Sequence, residues 1–332
     1  VARWFKGLGL AAVAFSGAAI VFAGAWLVDV QRWAAQGESG QLAHVVDPDL
    51  VGDKARALAD YRTDDLVALV KAFVLPYTVG VFVALVGYIL IKGVPNLSLD
   101  LFQLKYTSDN CSMLPAIFNT IFMTLLSLVV AVPLGIFSAI YLTEYARRGN
   151  KLVKVVRLTT ETLQGIPSIV YGLFGYLFFL VQLQWGYSLL AGAMTLAIMI
   201  LPLIMRTTEE AVLSVPDGYR EGSFALGAGR LRTIFRIVLP TAIPGILAGV
   251  ILAIGRIVGE TAALIYTAGT YAQTADSLFS PVRTLSVHMY VLSSEGLHID
   301  QAYATAAVLL IVVVGINALS AAVAKSIVKR RG

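Results

Sequence analysis

Seven apolar runs, near residues 7–28, 72–91, 115–142, 163–183, 187–205, 241–267 and 302–324, limit what this chain can fold into. Each approaches or exceeds the roughly 20 residues that a helix needs to cross a hydrocarbon layer of about 30 Å. A soluble core cannot absorb so many. In lipid, moreover, every backbone amide and carbonyl must find its partner within the protein. With 58% apolar and 14% charged residues, the chain reads as all-α, a polytopic membrane bundle. The net charge of +5 does not point to nucleic acid. The Lys and Arg residues fall in short segments between the runs, the pattern that orients membrane helices.

Several chemistries are excluded. Cys111 is the single cysteine, so an intrachain disulfide cannot form and a zinc cluster is not expected. His44, His288 and His298 are far apart and form no ligand pair, so no metal site is expected. The chain has no Gly-x-x-x-x-Gly-Lys-Ser/Thr loop and is not expected to hydrolyse ATP by itself.

The basic segments give a topology. Arg147, Arg148, Lys151, Lys154 and Arg157 face only Glu144 between the third and fourth runs. Arg206, Arg220, Arg230, Arg232 and Arg236 flank or fill the loop 206–240, and a basic tail follows, with Lys329, Arg330 and Arg331 inside 326–332 and Lys325 just before it. All three are expected in the cytoplasm, with 92–114 and 268–301 outside. Residues 271–300, carrying Arg283 and His288, are long enough to meet an external partner. Residues 1–71 read as an accessory segment. It holds a span at 7–28, too long for the apolar part of a cleaved signal, an acidic loop and an amphipathic helix over 54–70. The six later spans then form the working bundle, 72–325.

Within 206–240, Val215-Pro216-Asp217-Gly218 is turn chemistry. Asp217 is expected to cap a helix running from Gly218 to Gly227, where the missing Cβ permits a reversal. Leu231, Ile234, Phe235 and Val238 then form an apolar stripe opposite Arg230, Arg232 and Arg236. Pro240 is expected to end that second helix and Pro244 to open the next. From spacing alone, a surface hairpin with snorkelling arginines fits as well as an element that a soluble partner grips.

Arg256 and Glu260 fall within the run 241–267, one helical turn apart and flanked by Gly255 and Gly259. Charges near the bilayer centre cost roughly 2.5–3.5 kcal/mol each on insertion scales. One reading is an i,i+4 ion pair that ties helices together. The other is an anion path, in which Arg256 offers a permanent charge and a planar fork for two oxygens. Glu260 would then compete for the guanidinium as counter-ion or gate, and Arg206, at the edge of another run, would mark the exit. Pro167 and Ser168 form either a packed proline kink or a bend that opens carbonyls to the path.

Glu221, five residues, Gly227, nine residues, then Ile237-Val238-Leu239-Pro240 resembles the EAA cassette of ABC-importer permeases. Gly222 and Ser223 stand where that family has two alanines, and Ala225 keeps the stretch small. Four further stretches, Gly135–Tyr145, Ile166–Leu173, Arg206–Glu209 and Arg256–Ala262, resemble the phosphate-importer branch of PstA type. The likeness covers about residues 75–325. It implies a six-helix ABC type I importer core whose first loop helix docks in a groove of a soluble ATPase. It also implies inorganic phosphate as substrate, carried past Arg256 and Glu260. The partners it implies are a homologous second permease (PstC type), an ATPase dimer that binds the ATP (PstB type) and an extracytoplasmic phosphate-binding protein (PstS type). The location would be the bacterial inner membrane, and the chain itself would hold no cofactor and catalyse no reaction. Rival readings are an importer of sulfate or molybdate, a stand-alone secondary transporter or channel, and a signalling subunit.

Overall fold

The computed structural model describes residues 75–146 and 149–329. The expected span at 7–28, the helix over 54–70, and Arg147, Arg148, Arg330 and Arg331 lie outside the described residues. Every regular element among the described residues is helical. In chain order they are α1 (Leu75–Gly93), α2 (Leu114–Tyr145), α3 (Lys151–Gln164), α4 (Ser168–Gln182) and α5 (Leu189–Leu213). The polar loop contributes α6 (Asp217–Ala225), and α7 (Arg230–Val258), α8 (Ala262–Thr267), α9 (Leu285–Glu295) and α10 (Ile299–Lys329) follow. Five of these, α1, α2, α5, α7 and α10, hold a stretch long and apolar enough to cross a membrane. The pair α3–α4, bent by 103°, supplies a sixth, broken span.

Three expectations need correction. The run 163–183 is not one kinked span. Its first residues close α3, and the chain then turns at Gly165–Pro167 before α4 begins. Asn150 caps α3 by accepting from the Leu152 amide, so α3 is an independent amphipathic helix. Second, Pro240 does not end the helix that precedes it. Residues Ile234–Val238 widen into a π turn in which the Leu239 amide reaches back to the Ile234 carbonyl. That shift of register comes just before a residue with no amide, and the helix runs through it. Third, the run 241–267 breaks after Val258, so Arg256 and Glu260 do not lie a turn apart on one helix.

The core forms where α2 and α5 run side by side. Met123, Ala131, Leu196, Ile200 and Ile204 are essentially inaccessible there, and the Ser127 hydroxyl donates to the Ala193 carbonyl at 3.0 Å across the seam. On the other side of α5, Gly245 and Gly249 of α7 face Ala211 and Thr207. Small residues four apart on both helices let the backbones approach where no hydrophobic effect drives association. On α7, Gly245 and Gly249 are therefore the glycines that make the close approach to α5. Gly255 and Gly259, which flank Arg256, make no such close approach: a Cβ would meet Asn317 Oδ1 at 3.8 Å and the Gly255 carbonyl oxygen at 3.7 Å respectively, both ordinary contacts.

A Cβ added at Gly249 would stand 2.6 Å from the Thr207 Cβ. Gly249→Ala is therefore expected to cost about 1–3 kcal/mol, read as a lower melting temperature in detergent. Thr207→Gly in the same chain should restore part of the loss.

Candidate functional site

Two breaks in the helices build the centre of the site. At the first, Tyr171 of α4 is buried and donates its hydroxyl to the Leu163 carbonyl at 2.8 Å, bridging the bend. Gln164 donates to the Pro202 carbonyl of α5 at 3.1 Å and ties the same bend to the core. Pro167 itself is exposed and Ser168 half-buried. At the second break, Glu260 is 9% exposed and accepts from the Ala263 amide at 3.1 Å, which caps α8. The Ser286 hydroxyl of α9 donates to the Glu260 carbonyl. The breaks pack on each other: a Cβ at Gly172 would meet the Ala263 Cα at 2.7 Å.

Arg256 stands half-buried in the last turn of α7. A cation there benefits from the negative end of the helix dipole, which lowers the cost of a charge in this position. Arg256 lies near enough to Tyr171 for its charge to act on that hydroxyl. It forms no ion pair among the described residues, and Glu260 is not bonded to it. The ion-pair reading of Arg256 and Glu260 is thus not what the geometry contains. Glu260 instead stitches the break. Arg206 is exposed and lies well inside α5 rather than at its end. It bonds Glu161 of α3 and Glu210, both at 3.1 Å. Neighbouring Arg157 pairs with Glu209 at 2.6 Å.

The polar loop has a firmer build than its spacing suggested. Pro216, not Asp217, occupies the cap position, and α6 begins at Asp217. Asp217 then accepts from Arg220 at 3.1 Å. After Ala225 the chain closes in a paired C-cap, with Gly227 N–H to Phe224 O and Ala228 N–H to Ser223 O. Gly227 has φ of 78°, where a Cβ is strained. Glu221, Gly222, Ala225 and Gly227 are exposed, together with Phe224 and Leu226, the latter 90%. Ser223 is the exception. It is buried and its hydroxyl meets that of Thr233 at 2.8 Å, so it braces the two arms of the loop instead of facing outward. Ile237, Leu239 and Pro240 are half-buried along α7.

One key residue was not singled out from the sequence. Arg220 donates to Glu144 at the end of α2 at 2.8 Å and to the Val212 and Val215 carbonyls that close α5. The pair is largely buried and welds α6 to the bundle. Seventy-six residues separate the partners, so no local pattern could have revealed it. Beside it a cleft of about 850 Å³ opens between Glu144, Lys154, Arg157, Asp217 and Arg230.

The chain matches the family described as "binding-protein-dependent transport system inner membrane component" over residues 131–332. It is 34% identical to the probable ABC transporter permease protein YqgI of Bacillus subtilis, across 73% of this chain and 86% of that one. It is 39% identical to the phosphate transport system permease protein PstA of Pasteurella multocida, across 60% and 71%. Against PstA 1 of Mycobacterium tuberculosis the identity is 36%, across 65% and 71%. A solved bacterial ABC transporter that imports the polysaccharide alginate shares the fold, with a TM-score of 0.56 at 20% identity over 80% of this chain and 98% of the other. The MetNI methionine ABC transporter does likewise, at 0.52 and 21% over 65% and 95%.

Apolar spans broken twice, with a braced polar loop between α5 and α7, define a membrane permease of the ABC importer class. The chain belongs to the binding-protein-dependent transport system inner membrane component family.

Arg220→Ala should lower stability by about 2 kcal/mol, since charge-assisted bonds are lost from a largely buried pair, measured by thermal unfolding. Gly227→Val is expected to cost about 1–2 kcal/mol more than Gly227→Asn, because αL suits only Gly and Asn.

Proposed function

We propose that this chain is a membrane subunit of an ATP-driven importer that moves inorganic phosphate into the cytoplasm. The observation that carries this reading is Arg256: a guanidinium in the last turn of a membrane helix, without an ion pair among the described residues, beside two helix breaks. A permanent charge with a planar fork suits an oxyanion. The printed names of several relatives, phosphate transport system permease proteins, point to the same substrate. Gly255 and Gly259 add no side-chain bulk next to that charge.

In this reading the exposed face of α6, with Glu221, Gly222, Ala225 and Gly227, docks on a separate ATPase of PstB type. A homologous PstC-type permease completes the bundle, and a PstS-type binding protein delivers phosphate from outside. ATP is bound and hydrolysed by the ATPase, so the permease catalyses no chemistry of its own. Arg206, held between Glu161 and Glu210, lies at the inner end of the path, and the C-terminus is cytoplasmic. Glu260 acts by holding the break in which Arg256 works, and Pro167 with Ser168 lines the bend opposite.

Arg256→Ala is expected to abolish radiolabelled phosphate uptake in proteoliposomes while the ATPase still copurifies. Normal uptake by this variant would remove Arg256 from the path. Excess sulfate or molybdate should leave wild-type uptake unchanged, and strong competition by either would reassign the substrate.

A further inference from the structure

A third arginine lies at the end of the bundle away from the polar loop. Arg283, just ahead of α9, is 3% exposed. The Tyr106 ring covers its guanidinium at 4.4 Å. Its Nε and Nη2 are fully buried and bond to nothing, and no carboxylate pairs with it among the described residues. His288, wholly buried on the first turn of α9, stands edge-on to the same ring at 6.0 Å. Burial, reinforced by the Arg283 charge, pulls the His288 imidazole down to about 3, so it stays neutral. Within the segment 271–300 these two side chains are enclosed, so neither offers itself to an external partner.

A buried cation held only by a ring face is an incomplete arrangement, because the ring leaves the forked edge of Nε and Nη2 unsatisfied. That edge matches two oxygens of one oxyanion. Its segment also leads directly to the site described above. The Arg283 carbonyl accepts from Asn119 of α2, the Leu285 amide donates to the Thr120 hydroxyl, and Ser286 donates to the Glu260 carbonyl. The hydroxyls of Thr284 and Ser286 lie 3.1 Å apart beside it. Arg283 is thus pinned to the break beyond Arg256 and does not belong to a loose loop.

We propose that Arg283 forms a second oxyanion site, through which phosphate passes before it reaches Arg256. This inference rests on the phosphate reading above. Tyr106 covers the face of the guanidinium and must lift for the ligand to enter. A carboxylate from a neighbouring subunit would satisfy the same fork, but so enclosed a group favours a small diffusing anion over a side chain anchored to another backbone.

The test uses the assembled transporter in lipid nanodiscs, with hydrogen exchange followed across residues 104–108 and 280–290. In the Arg256→Ala complex, inorganic phosphate is expected to slow exchange in both segments, and adding Arg283→Gln should abolish the effect. No phosphate-dependent change in the Arg256→Ala complex overturns the proposal, whether or not the double variant assembles. Protection that is complete without phosphate identifies a partner's carboxylate as the ligand and also overturns it. In uptake assays, Arg283→Lys should raise the phosphate KM about tenfold, because the fork is lost and the charge kept. An unchanged KM overturns the proposal while leaving the phosphate reading intact, whereas a wild-type transporter that moves no phosphate defeats that reading itself.

Discussion

Lipid supplies no hydrogen bonds, and this constraint governs how the bundle can interrupt its helices. Each bare backbone group in hydrocarbon costs several kcal/mol, yet the chain breaks between α3 and α4 and again between α7 and α8. Both breaks survive because side chains take the vacant places. The Tyr171 hydroxyl serves the Leu163 carbonyl, Glu260 serves the Ala263 amide, and Ser286 serves the Glu260 carbonyl. Gly172 then lets the two breaks press together against Ala263. Arg256 is tolerated beside them since it closes a helix whose dipole favours a cation. The charge and the broken backbone are one construction.

A second consequence concerns reach. Because α7 passes through Pro240 without stopping, the second arm of the polar loop and Arg256 belong to a single rod. From Arg230 to Arg256 that rod rises about 40 Å. The loop is fixed to it by Ser223 against Thr233, and to α2 by Arg220 against Glu144. A force applied to the exposed face of α6 is therefore delivered through a packed helix and a buried ion pair, not through a slack linker. The glycine pair at 245 and 249 holds the middle of the rod against α5.

What could be read from the residues follows from how local each cause is. The apolar runs that became α1, α2, α5 and α10 and the reversal at Gly227 depend on near neighbours, and among the described residues these lie close to where they are expected. The breaks do not, because Gly259-Glu260-Thr261 is bordered by apolar residues on both sides, and Ser286, which supports it, lies far off in sequence. At Pro240 the reverse holds: a local stop signal is cancelled by a π turn that no single residue announces. Arg256 was legible as a charge in an apolar run, while its separation from Glu260 required knowing where α7 ends. Ser223 looked like a small contact residue and turned inward because Thr233 waits across the loop.

The most direct test of the central claim is an electron cryomicroscopy structure of the assembled transporter, trapped with phosphate. The account predicts tetrahedral density within hydrogen-bond distance of the Arg256 guanidinium, beside the break at Gly259–Thr261. Density confined elsewhere, with Arg256 turned toward lipid, would contradict it.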